Sequence, residues 1–229
     1  MKIFLPLVCL LLLPQMALAT DTSARPLLSL DRSKAHNVIA KSVRYNGFDG
    51  LNVIAKPGLK GPEEGGCDNC TYLELEDINF KNGSIEIEVA GKPLPDSPDW
   101  ARGFVGVVFR LNGDSSEGIY IRPLNSTSEN QLQRNHSVQY FSKPGYPWQV
   151  LREQTPGKYE AWADLEVGEW TQLRIDVEGA TAILYINGQK EPSLIVNDLK
   201  LGSDASGTVG LYSERTSDAY FRNLVITHR

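Results

Sequence analysis

From Asn37 onward the dominant pattern along the chain is an alternation of apolar and polar positions. Tyr72-Leu73-Glu74-Leu75-Glu76 places Leu73 and Leu75 on one face, and Ile85, Ile87 and Val89 alternate with Glu86 and Glu88. Lys81-Asn82-Gly83 stands between these runs and has the chemistry of a hairpin turn. Residues 104–111 are almost continuously apolar and read as a strand buried on both faces. In residues 118–124, Ile119 and Ile121 face one way and Tyr120 and Arg122 the other. Leu173, Ile175 and Val177 share a face opposite Gln172, Arg174 and Asp176, and Ala182, Leu184 and Ile186 lead to the turn Asn187-Gly188. Two further strands are expected near residues 208–212 and 219–227. Period two is a sheet signal because successive side chains leave opposite faces of a strand. No segment carries an amphipathic helix of three turns. About a dozen short strands separated by Gly, Asn and Pro turns predict an all-β fold, a β-sandwich of two packed antiparallel sheets.

The N-terminus breaks this pattern. Lys2, an apolar run over residues 3–13 and the small-x-small triplet Ala17-Leu18-Ala19 read as a secretory signal peptide over residues 1–19. The run is too short to span a bilayer, and no later stretch approaches membrane length. Removing it leaves 210 of the 229 residues: a polar tether over 20–35 and one sandwich domain over 36–229. The expected location is secreted or periplasmic, with no membrane partner after cleavage.

Charge and cysteine content narrow the chemistry. The formal net charge is −5, and −6 once Lys2 is lost, with no basic tract, which argues against nucleic acid as a partner. Of three cysteines, Cys9 lies in the signal run. Cys67 and Cys70 remain, in Cys67-Asp68-Asn69-Cys70, and in an oxidising compartment they are expected to form a local disulfide. No second Cys pair or nearby His completes a zinc set, and no spacing points to a bound Ca²⁺, so no cofactor is expected.

The remaining signal is compositional. Residues 120–162 hold Tyr120, Tyr140, Phe141, Tyr146, Trp148, Tyr159 and Trp162, interleaved with Arg122, Asn125, Gln131, Arg134, Asn135, His136, Gln139, Arg152 and Glu160. This mixture binds sugars: aromatic faces stack on the CH surface of a pyranose, while amides and guanidiniums hydrogen-bond its hydroxyls. The stretch also contains the longest connection between strands, residues 125–137. The expected carbohydrate contacts are Arg122, Asn125, Gln131, Arg134, Asn135, Tyr140, Tyr146, Trp148 and Arg152. His136 is the one histidine among convergent polar groups and the candidate general base, with Glu160 as acid partner. Arg122 and Arg134 have a competing reading as salt-bridge partners of Glu160 or Asp164, and Trp162 and Tyr159 a competing reading as packing residues. Glu86 and Glu88 lie on one strand face at a spacing that suits paired carboxylates, yet such alternation also describes a solvated outer face.

Three motifs carry a resemblance. Gly168-Glu169-Trp170-Thr171, then Ala182-Ile183-Leu184-Tyr185-Ile186-Asn187-Gly188, then Gly207-Thr208-Val209-Gly210-Leu211 follow one another as in the concanavalin A-like and laminin-G-like jelly rolls. With Tyr120-Ile121-Arg122-Pro123-Leu124-Asn125 and Arg134-Asn135-His136-Ser137-Val138-Gln139-Tyr140, the chain resembles the secreted 3-keto-disaccharide hydrolase-like proteins, also grouped as glycoside hydrolase family 16-like. The E-x-D-x-x-E strand of true family 16 glucanases is missing, both at residues 85–90 and at residues 72–77. The resemblance implies cleavage of a 3-keto-glycoside by a single base, with Arg122 and Arg134 stabilising enolate charge. A lectin-like module that only binds sugar, and a laminin-G-like interaction domain, are the alternatives.

Overall fold

The computed structural model describes residues 22–24 (as backbone), 28–59 and 70–229. Two antiparallel sheets account for nearly all of the regular structure. The eight-stranded sheet runs β13 (Leu194–Val196), β12 (Thr181–Ile186), β11 (Thr171–Glu178), β6 (Gly83–Pro93), β15 (Ser217–His228), β4 (Phe48–Ala55), β3 (Val38–Tyr45), and β1 (Thr22–Ala24) also pairs with β15. The seven-stranded sheet runs β10 (Glu160–Ala161), β9 (Val138–Lys143), β8 (Ser115–Ile121), β7 (Val105–Asn112), β14 (Thr208–Ser213), β5 (Tyr72–Leu75), β2 (Ser33–His36). The expected all-β sandwich is therefore what the chain forms. Among the described residues helices are limited to short turns: a 3-10 turn at Leu30–Arg32, α1 (Pro123–Ser126), α2 (Gln131–Arg134) and α3 (Trp148–Gln154).

The alternation explains the core. Ile85, Ile87 and Val89 of β6, with Leu173, Ile175 and Val177 of β11, meet Val105, Val107, Ile119, Ile121, Val138 and Leu211 of the other sheet. All of these are at most 1% exposed, so each contributes roughly 1.5–3 kcal/mol of apolar burial.

The seven-stranded sheet is unusual in burying its second face too. Val108, Tyr120, Phe141 and Tyr212 point away from the core and pack together with Cys70 and Tyr72. Segments 94–104, 122–137 and 144–158 flank this outer face. Register lines the second cluster into rows. Tyr212 pairs with Gly106, Gly106 with Tyr120, Tyr120 with Gln139 and Gln139 with Glu160. In the next row Gly210 pairs with Val108, Val108 with Gly118 and Gly118 with Phe141. The glycines make the aromatic contacts possible. A Cβ on Gly118 would stand 2.2 Å from the Phe141 ring, and one on Gly106 would stand 2.6 Å from the Tyr120 Cβ. Without them, the rings of Tyr120, Phe141 and Tyr212 close into a triangle with centroids 5.4 to 5.8 Å apart.

Part of the expected tether belongs to the sandwich: residues 22–24 form strand β1, and residues 33–35 are the first three of strand β2. Three or four residues are too few to display a period, which is why they looked unpatterned. The predicted signal peptide and Cys67 lie outside the described residues, and the expected Cys67–Cys70 bridge lies outside them for that reason. Cys70 is buried, and Lys143 Nζ donates to its Sγ at 3.0 Å.

Gly118→Ala is expected to displace the buried Phe141 ring. The cost of such overpacking is about 1–3 kcal/mol, or a fall in Tm of about 2–12 °C for a chain of this size, read by calorimetry. A Tm unchanged from the wild type would show that the ring can move freely.

Candidate functional site

A pocket of about 440 Å³ opens over the aromatic triangle, a size suited to a small ligand. Tyr120, Phe141 and Tyr212 line it with Phe104, and its sides carry Trp100, Arg102, Asn125, His136, Trp148 and Arg152. Each side chain arrives for a local reason. Tyr120 alternates outward from Ile119 and Ile121 on β8. Trp148 opens α3, whose start is set by the fixed φ of Pro147 at −65°. Asn125 sits in α1, which begins at Pro123.

His136 is held through its backbone. Arg122 Nη1 donates to its carbonyl at 2.9 Å and Asn125 Nδ2 donates to the same oxygen at 3.0 Å, while its own N–H donates to Gln133 O at 3.0 Å. The Nε2 atom faces Glu160 Oε2 at 3.4 Å. Among the described residues no hydrogen bond engages Nδ1. Burial lowers the His136 pKa below the ordinary imidazole value of 6.5. Glu160 opposes that shift, and the Arg152 and Arg122 guanidiniums add to it. The shift favours the neutral imidazole, whose lone pair can accept a proton.

Glu160 has only 2% of its side chain exposed, on a strand that adds Glu160 to the Gln139 end of the Tyr120 row. Arg152 Nε donates to its two oxygens at 3.1 and 3.0 Å, Arg152 Nη2 also donates to Oε1, and Arg122 Nη1 reaches Oε1 at 3.4 Å. A carboxylate enclosed this way serves as an acceptor, which turns the expected acid into a group that orients its neighbours. Arg122, 4% exposed, is bonded at both terminal nitrogens, since Nη2 donates to Tyr120 Oη at 2.7 Å and to Gln139 Oε1 at 3.2 Å. Arg152 differs. Its Nη1 makes no hydrogen bond among the described residues, and the guanidinium stacks 4.4 Å from the Trp148 ring centroid. Asn125 lines the pocket, and its Oδ1 is buried without a hydrogen-bond partner among the described residues.

The structure thus brings Arg122, Asn125, His136, Trp148 and Arg152 to one pocket, with Glu160 behind them. It does not bring the others there. Tyr140 is fully buried: it alternates to the core side of β9 and its hydroxyl donates to the buried Glu117 carboxylate. Gln131 lies on the surface of α2, donating to Asn135 Oδ1 at 2.8 Å, and Arg134 lines no part of the pocket. Tyr146, 36% exposed, lies near Lys200 rather than in the pocket wall, with Nζ 5.3 Å from its ring centroid. Asn135 faces an adjacent concavity. Glu86 and Glu88 belong to the other sheet, where Glu88 accepts from Arg222 Nε at 2.8 Å and Asn223 Nδ2 at 2.5 Å. Trp100, Arg102, Phe104 and Tyr212 were missed by sequence reasoning, because they come from two segments outside 120–162 that the sheet pairing and the loop contacts bring to it. Among the described residues no group of three His, Cys, Asp or Glu is placed to hold a metal ion.

Solved structures of the same shape include a carbohydrate-binding module, CBM66, of Bacillus subtilis, at 13% identity and TM-score 0.51, covering 84% of this chain and 93% of that one. Another is a Bacillus subtilis protein with a galectin-like fold, at 12% identity and TM-score 0.53, covering 89% and 94%. At this identity they share the fold alone. No curated protein sequence matches the chain. The sequence profile of the 3-keto-alpha-glucoside-1,2-lyase-like domain matches residues 45–227, a span that contains both sheets' central strands and every residue of the pocket, and the chain belongs to that family.

Proposed function

We propose that this protein is an exported lyase or hydrolase of 3-keto-glycosides, with His136 as the base. The observation that carries the reading is an imidazole on the wall of an aromatic-floored pocket, its Nε2 3.4 Å from a buried carboxylate behind it. A ketone at C3 of the sugar acidifies the C2 proton. His136 takes that proton, the electron pair forms the C2=C3 enolate, and the enolate then expels the glycosidic oxygen from C1. The departing oxygen takes up a proton from the imidazolium or from water, and hydration of the resulting double bond completes net hydrolysis. One base suffices, so the missing family 16 acid pair is no obstacle. Arg152, with open N–H groups, is the guanidinium suited to the enolate oxygen, and a donor aimed at developing charge is worth a few kcal/mol. Arg122 and Glu160 position His136 and Arg152. The rings of Tyr120, Phe141 and Tyr212 offer an apolar face to the sugar.

The aromatic floor also favours a second reading, a lectin-like module that binds sugar without turnover. Incubation with a 3-keto-α-glucoside in D₂O separates the two. The lyase reading expects aglycone release and deuterium incorporation at C2, and it is lost if neither occurs while the sugar still binds. His136→Ala is expected to lower kcat/KM by about 10²–10⁴ with ligand affinity kept.

The pH profile follows from the direction of the His136 shift. Only neutral imidazole accepts a proton, so kcat/KM should be flat near neutrality and fall as pH drops through a value below 6.5. Glu160→Gln removes the carboxylate that favours the imidazolium, so the acid limb should move to still lower pH. The same change leaves two guanidiniums without their buried counter-charge, at a cost of about 3–5 kcal/mol, visible as a lowered Tm. An acid limb that stays in place in this variant would detach it from His136.

A further inference from the structure

His136 and Arg152 line a second concavity as well as the pocket described above. It measures about 590 Å³ and continues past Glu160 to Asn135, Gly157, Leu132 and Trp162. Alternation puts Trp162 there. Ala161 and Ala163 pack on the hydrophobic core, so Glu160 and Trp162 leave the chain on the opposite side. Trp162 is 47% exposed and Leu132 66%, a degree of exposure that costs a tryptophan much of its apolar burial unless something covers it.

Resting on the elimination reading, we propose that this second concavity is the leaving-group subsite: it takes the second sugar ring of a 3-keto-disaccharide, stacked on Trp162. The chemistry dictates the adjacency. The proton that His136 removes is on C2, and the bond that breaks is on C1, the neighbouring carbon. The leaving oxygen therefore sits beside His136, and the ring attached to it must occupy space that also borders His136. The floor of three aromatic rings takes the keto ring, and the concavity that shares His136 and Arg152 with it is a neighbouring space with an exposed aromatic face, Trp162. Arg152, bordering both, can donate to the bridging oxygen, and the Asn135 amide lies where hydroxyls of the second ring would be.

Trp100 offers the rival placement. It is 49% exposed at the first pocket, with the Arg215 guanidinium 5.8 Å from its ring centroid. Trp162→Ala and Trp100→Ala, each checked for an unchanged Tm, are compared on methyl 3-keto-α-glucoside and on 3-keto-maltose. Trp162→Ala is expected to raise KM for 3-keto-maltose by about tenfold, the equivalent of about 1.4 kcal/mol, and to leave the methyl glycoside unchanged. Trp162→Phe should recover part of the loss. Equal effects on both substrates, no effect, or selectivity that follows Trp100 instead would each overturn the assignment. Should neither keto-sugar react with the wild-type protein, the elimination reading fails, and the subsite is judged by calorimetry with unoxidised sugars. Maltose must then bind more tightly than methyl α-glucoside, and that advantage must vanish in Trp162→Ala. Equal affinity of the wild-type protein for the two sugars would sink the subsite on its own.

Discussion

The site depends on one buried carboxylate. Removing a charge from water is expensive, and mutual attraction repays it only where geometry and hydrogen bonds are good. Glu160 meets that condition with Arg152 held along both its oxygens and Arg122 at a third approach. The consequences spread outward from there. Arg122, held by Glu160, clamps the His136 carbonyl and caps the Tyr120 hydroxyl. Arg152, held by the same group, lies against Trp148 and faces both concavities. The segments 122–137 and 144–158, on either side of β9 in the chain, are thereby referred to a single strand pair, β9 with β10.

The seven-stranded sheet supplies the other half of the design. A sheet normally gives one face to a core and the other to water. Here the second face becomes a floor because Gly106 and Gly118 stand beside Tyr120 and Phe141 in register, and the missing side chains allow the rings to close over the backbone. The arrangement is rigid by construction: sheet register sets the spacing of the rings, and the loops only add the walls. Catalytic and binding groups on such a floor lose little freedom when a ligand arrives, which favours a preorganised site.

Much of this was legible in the sequence. The strands β5, β6, β8, β11, β12 and β15 follow the alternation, β7 follows its continuous apolar run, and the aromatic-rich stretch 120–162 holds Tyr120, Arg122, Asn125, His136, Phe141, Trp148 and Arg152 of the pocket. The errors have physical causes. Tyr140 and Tyr120 are both aromatic and one strand apart, but opposite parity sends one to the core and the other to the floor. Composition does not see parity. Arg134 and Gln131 share a loop with His136, yet the turns of α2 carry them away from the pocket. Glu160 was read as an acid because its surroundings are made by residues eight to thirty-eight positions away.

Periodicity by itself determined the fold class and the core, because burial of an alternating apolar face is a local property repeated along the chain, and composition marked the stretch 120–162 in which function would be sought. Tertiary structure alone decided which polar groups meet. Only pairing of β9 with β10 sets Glu160 beside Gln139, only the crossing of β7 between β8 and β14 brings Tyr212 to Tyr120, and only the path of the 122–137 segment hangs His136 over both. Charge compensation in a low-dielectric site is a property of distances, and distances between remote segments are not written in any local pattern.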